Sequence, residues 1–134
     1  MPLDLTNTPN TADTEGHGRV VAILDESGDE YLDAGKPVTM RVIGTYSKAF
    51  KKAQRKLQER NSRRSGKPTD EQREADTRAL WAVCVLEWEL VIGATPADPA
   101  TIFALKPHIM DQVADEAGNH AAFFSDSSTS SRTS

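Results

Sequence analysis

Three histidines, one cysteine and a run of bases are the side chains here with chemistry to offer. His17, His108 and His120 are far apart in the chain. No two lie at i and i+4, the spacing that lets two imidazoles on one helix share a metal. Cys84 is the single cysteine, which excludes an internal disulfide and any cysteine-built zinc cluster. It sits in the most apolar stretch, where a thiol reads as a small buried hydrophobe and not as a nucleophile. Gly16-His-Gly18 is too short for a phosphate loop and precedes a strand instead of following one. No serine, histidine and aspartate are placed as a triad. The sequence therefore assigns no catalytic residue, metal ligand or cofactor, and the expectation is a protein that is not an enzyme.

Charge is the stronger signal. The chain has 134 residues, 16 basic and 20 acidic, for a net charge of -4. Nine of the bases fall between Lys48 and Lys67, against the single acid Glu59, so this stretch carries +8. The remainder has seven bases and nineteen acids, or -12. Two roles fit the basic run: a solvated helix face paired with acids on the next helix, or a docking surface for an acidic partner segment. Nucleic acid is disfavoured as a partner. The global balance is acidic, and the nearby aromatics Tyr46 and Phe50 belong to an apolar stripe, so no stacking platform interleaves the bases.

The elements that must hold these residues can be read from periodicity. The fold class expected is α+β: a small antiparallel β-unit followed by a bundle of about four helices. Residues 1–18 are polar and turn-rich, and residues 125–134 contain six serines; both are expected to be disordered around one domain at 19–124. Residues 1–18 have no basic or apolar segment of the kind a secretory signal needs. No apolar run reaches membrane-spanning length.

Arg19 to Leu24 and Pro37 to Ile43 read as strands, the second with Val38, Met40 and Val42 on one face. Tyr31-Leu32 is a candidate third strand. Thr45 or Ser47 can cap a helix whose stripe is Tyr46, Phe50, Ala53 and Leu57, running to about residue 60. Thr69 and Gln72 form a capping box. The helix they open is expected to continue to Val91 or Ile92, with Val83, Leu86 and Leu90 on a second apolar side. Such a helix is buried on two sides, and a partner, including a second copy of the chain, could cover one of them. Trp81 and Trp88, seven residues apart, share its main face as core or as interface anchors. Asp98-Pro99 and Pro107 open two shorter helices, and Phe123-Phe124 is the last segment able to dock.

The order of these features resembles the small tail assembly chaperones of long-tailed, non-contractile bacteriophages. The resemblance spans about Arg19 to Phe124. It rests on Val42-Ile43-Gly44-Thr45-Tyr46-Ser47 leading into a basic helix, and on the acidic-to-apolar helix ending in Trp88. It also rests on Pro96, Pro99-Ala100-Thr101-Ile102-Phe103, Pro107-His108-Ile109, Gln112-Val113 and the close at Asn119 to Phe124. Tyr46 departs from the family, in which an acid is expected before the serine.

The resemblance implies a protein of the host cytoplasm, absent from the mature virion. It would bind and solubilise the tape measure protein and give way as tail tube subunits polymerise. It also implies a longer frameshifted form, with which the Ser-rich ending is compatible. On this view Lys48, Lys51, Lys52, Arg55 and Lys56 supply charge to the partner, and Val83, Leu86 and Leu90 supply an apolar groove. The alternative of the same size and acidity is a structural virion protein of the tail or head–tail junction.

Overall fold

The computed structural model describes residues 4, 6, 8, 10–64, 66–93 and 95–124. The Ser-rich ending lies outside the described residues. The architecture is α+β, with a small antiparallel sheet and helices on both sides of it in sequence.

β1 (Arg19–Ala22), β4 (Thr39–Val42) and β5 (Val85–Trp88) form one sheet in the order β1-β4-β5. The alternation read in the second strand is borne out, since Val38, Met40 and Val42 are all buried. Between β1 and β4 the chain makes a two-residue hairpin, β2 (Leu32–Asp33) and β3 (Lys36–Pro37). Its turn residues Ala34 and Gly35 both have positive φ, the backbone twist that tight hairpins demand. Gln112 bonds the strand that leads into this hairpin: its Oε1 accepts from the Leu24 amide at 3.0 Å and its Nε2 donates to the Ala22 carbonyl at 2.8 Å.

The helices begin where the capping residues predict. Ser47 accepts from the Phe50 amide and opens α2 (Lys48–Arg63), which runs about a turn beyond the end expected near residue 60. Thr69 and Gln72 make both bonds of the capping box and open α3 (Asp70–Ala82). Asp98 caps α4 (Pro99–Leu105), and α5 (Pro107–Gly118) turns Ile109, Val113 and Ala117 inward. A last helical turn at 120–124 buries Phe123.

Two expectations are corrected. The helix opened by Thr69 does not reach residue 92. It ends at Ala82, the Cys84 amide turns back to the Trp81 carbonyl, and the chain becomes β5. Val85, Leu86 and Trp88 suit a pleated surface at least as well as a helix, and β4 offers an unpaired edge. Pairing puts Met40 opposite Trp88, Arg41 opposite Glu87 and Val42 opposite Val85. It also lets the Trp88 indole donate to the Ala97 carbonyl at 2.9 Å and meet Phe103 edge-on. A short hairpin, β6 (Val91–Ile92) and β7 (Thr95–Pro96), follows.

The second correction is at the start of the chain. Residues placed outside the folded body form α1 (Thr11–His17), capped by Asn10. Its Glu15 side chain is fully buried, so the segment is held by a polar anchor that apolar periodicity does not register.

The core gathers Ile23, Met40, Val42, Ile43, Phe50, Phe103 and Val113 between the sheet and the helices. Arg19 pairs with Glu116, joining β1 to α5, and lies over the Phe123 ring. No helix among the described residues is long and apolar enough to cross a membrane.

Candidate functional site

The α2 helix sorts its residues by angle. Phe50 is buried, Ala53 and Leu57 are half-buried, and Lys48, Lys51, Lys52, Arg55 and Lys56 all face solvent. Among the described residues, the expected pairing with acids on the next helix is met at one point. Asp76 of α3 accepts from Arg60 at 2.9 Å and from Arg64 at 3.2 Å. Lys51 lies over the Tyr46 ring, 5.7 Å from its centroid. Lys48, Lys52, Arg55, Lys56 and Arg63 have no ion pair among the described residues.

Beside this face, α2 and α3 enclose an open groove of about 320 Å³. Ala53, Lys56, Leu57 and Arg60 line it from α2, Asp76, Ala79 and Leu80 from α3, and Val83 closes its end. Two expected contact residues, Lys56 and Val83, are thus brought to one place. Leu86 and Leu90 are not. With the helix ended at Ala82, the three apolar residues no longer share a face. Leu86 is half-exposed on β5, and Leu90 packs against the core and accepts from the Ala97 amide. The groove is built by Ala53, Leu57 and Ala79 instead: the first two belong to the α2 stripe read from the sequence, and Ala79 gave no signal of its own.

Cys84 is fully buried, and burial pushes its thiol up to about 12, so the thiolate is scarce at neutral pH. His17 ends α1. His108 and Tyr31 meet at Glu26, which accepts the Tyr31 hydroxyl at 3.0 Å and lies 3.4 Å from His108 Nε2. The Tyr31 hydroxyl and the nearby Lys106 ammonium hold the Glu26 carboxyl below its ordinary range.

The cluster that sequence reading missed surrounds Glu15. The carboxylate can only accept, so His120 Nδ1 carries the proton and donates to Glu15 Oε2 at 2.7 Å. The other oxygen, Oε1, accepts from the Tyr46 amide at 3.1 Å. The Gly44 amide donates to the Glu15 carbonyl at 3.0 Å, and a side chain on Gly44 would run into the Glu15 carboxylate. His120 Nε2 faces the Thr45 hydroxyl at 3.4 Å, and the Tyr46 ring stacks on the imidazole at 3.9 Å and 14°.

Carboxylate, imidazole and hydroxyl are in line here, and each also holds the chain: α1, the entry to α2 and the turn at 120–124 are clasped together. Tyr46, which stands where an acid was expected, supplies the ring that covers His120. An acid there would add a second negative charge beside Glu15.

Comparison with family models, curated proteins and solved structures finds no match to this chain.

Proposed function

We propose that this chain is a tail assembly chaperone of a long-tailed, non-contractile bacteriophage. It binds the tape measure protein in the host cytoplasm, keeps it soluble while tail tube subunits assemble, and is left out of the finished particle. The observation that carries this reading is the face of α2. Five of its cations, Lys48, Lys52, Arg55, Lys56 and Arg63, have no ion pair among the described residues, and an apolar groove lies alongside. A long helical client with bare apolar stripes aggregates. Such a surface can cover the stripe and select the client by charge. The residue order from Val42 to Phe124 described above supports the same reading.

The test is co-expression with the tape measure protein encoded in the same genome. The wild-type chain should raise its soluble fraction and copurify with it. Lys48→Glu, Lys52→Glu and Arg55→Glu together should remove that effect without unfolding the chain, since all three side chains are exposed. Unchanged solubility counts against the assignment. Mass spectrometry of purified particles separates the structural alternative: a chaperone is absent, and a tail or head–tail junction protein is stoichiometric.

A further inference from the structure

The α2/α3 groove sets the chemistry of what can lie in it. Its floor is apolar, with Ala53 and Leu57 on α2 and Ala79 and Leu80 on α3, so each wall contributes one small residue. Small residues on both walls let a partner backbone come close. The one acid in the groove, Asp76, is already engaged by Arg60 and Arg64, so it has little to offer a partner's cation.

One flank is a row of free charge. At 3.6 residues per turn, Lys52, Lys56 and Arg63 fall within about 40° of one another on the side of α2 next to Ala53 and Arg60. All three are exposed and none has an ion pair among the described residues. The row is about 16 Å long, or roughly three turns, and Arg63 stands one turn past the last groove residue of α2, Arg60.

An apolar strip bordered by cations at this spacing fits one kind of ligand. Carboxylates placed at i, i+4 and i+11 on a helix repeat the rises of Lys52, Lys56 and Arg63. A strand matches less closely, because its same-face residues fall at about 7, 13 and 20 Å and none is level with Arg63.

We infer that the groove seats an amphipathic helix bearing carboxylates along one flank of its apolar stripe, and that Lys52, Lys56 and Arg63 recognise those carboxylates. The inference rests on the chaperone reading for the identity of its natural partner, though not for its test.

The test uses two labelled peptides of about 20 residues, long enough to form a helix. Both carry leucines at i, i+4, i+7 and i+11. One has glutamates along the flank and its twin has lysines there. Each is titrated with the full chain and followed by fluorescence anisotropy. The glutamate peptide should bind about tenfold tighter than its twin or better, and lose affinity as salt rises.

Ala79→Trp fills the groove from an exposed position and should weaken binding by about tenfold or more with an unchanged circular dichroism spectrum. Reversing Lys52, Lys56 and Arg63 to Glu together should invert the preference between the peptides, a readout that does not depend on the tryptophan variant folding.

Absence of binding by the glutamate peptide, or binding that survives both sets of changes, overturns the inference. Loss of binding confined to Lys48→Glu with Arg55→Glu, which lie further round α2 from the groove than the row itself, also overturns it. So does a random DNA duplex that binds as tightly, because the row would then serve phosphates. If the peptides fail while the tape measure protein still copurifies, the groove is wrong and the proposed function stands. If the peptide binds and the tape measure protein does not, the function is wrong and the groove stands.

Discussion

Replacing His120 by alanine tests the clasp that holds α1 to the body. Glu15 is fully buried, and among the described residues His120 is the side chain bonded to its carboxylate, at 2.7 Å. Hydrogen bonds to charged groups contribute about 1.5–3 kcal/mol, and an aromatic pair about 0.5–1.5 kcal/mol. His120→Ala removes one of each and leaves the carboxylate with the Tyr46 amide alone. The His120 side chain is 33% exposed, so water can enter the space it vacates. That moderates the loss to about 2–3 kcal/mol. For a domain of this size the melting temperature should fall by about 8–15 °C.

Urea denaturation followed by the fluorescence of Trp81 and Trp88 measures it, because both lie against the core. Glu15→Gln in the His120→Ala background completes a double-mutant cycle. Since the clasp acts as a unit, the two losses should be non-additive by about 1–2 kcal/mol. Additivity to within about 0.5 kcal/mol, or a His120→Ala variant as stable as wild type, would refute the view that Glu15 is held by His120.

Two further predictions concern the same body. Gly44→Ala should cost about 1–3 kcal/mol in the same denaturation assay, because its Cβ has no room beside Glu15. For Cys84, the folded thiol titrates near 12 against an ordinary value near 9. The sign follows from which state ionises first: above pH 9 the unfolded chain loses its proton and the folded chain keeps it. Stability from this group should therefore be constant below pH 9 and fall above it by about 1.4 kcal/mol per pH unit toward pH 12. The difference in urea midpoint between wild type and Cys84→Ala, followed from pH 8 to pH 10.5, isolates it. A difference that does not narrow with pH would mean that Cys84 is not sealed.

What was legible in the sequence was whatever local chemistry decides alone. Ser47, Thr69 and Asp98 announced their helices, because a side chain that satisfies a first-turn amide acts over three residues. Val38, Met40 and Val42 announced β4 by alternation. The error at Val83 to Ile92 has a different origin. That stretch is apolar nearly all round, broken only by Glu87 and Glu89, so its periodicity fits a buried helix and a sheet strand about equally well. The free edge of β4, far away in sequence, decided between them. Of the expected contact residues, those in the basic run kept their exposed places, because a charged side chain without a buried partner stays in solvent. The apolar three were scattered, because their grouping depended on the helix. Glu15 and His120, 105 residues apart, gave no signal, because a lone acid in a polar segment looks like any solvated one.

The two long helices then argue against each other in a useful way. α3 obeys the helix dipole, with Asp70 and Glu71 in its first turn, where negative charge is stabilised. α2 breaks the same rule within the same chain: its first turn has no acid and begins at Lys48. Lys48, Lys52, Lys56 and Arg60 also follow one another at i, i+4 spacing, where like charges oppose helix formation by roughly 0.2–0.5 kcal/mol per pair. Only Glu59 offsets them from within the run. A sequence selected for stability alone would put acids at the start of α2 and alternate signs along its outer face. Local rules are broken mainly where function requires it. Under the proposed function the missing negative charge on α2 is charge that the partner brings, and a helix carrying carboxylates along its flank would supply it where the chain itself does not.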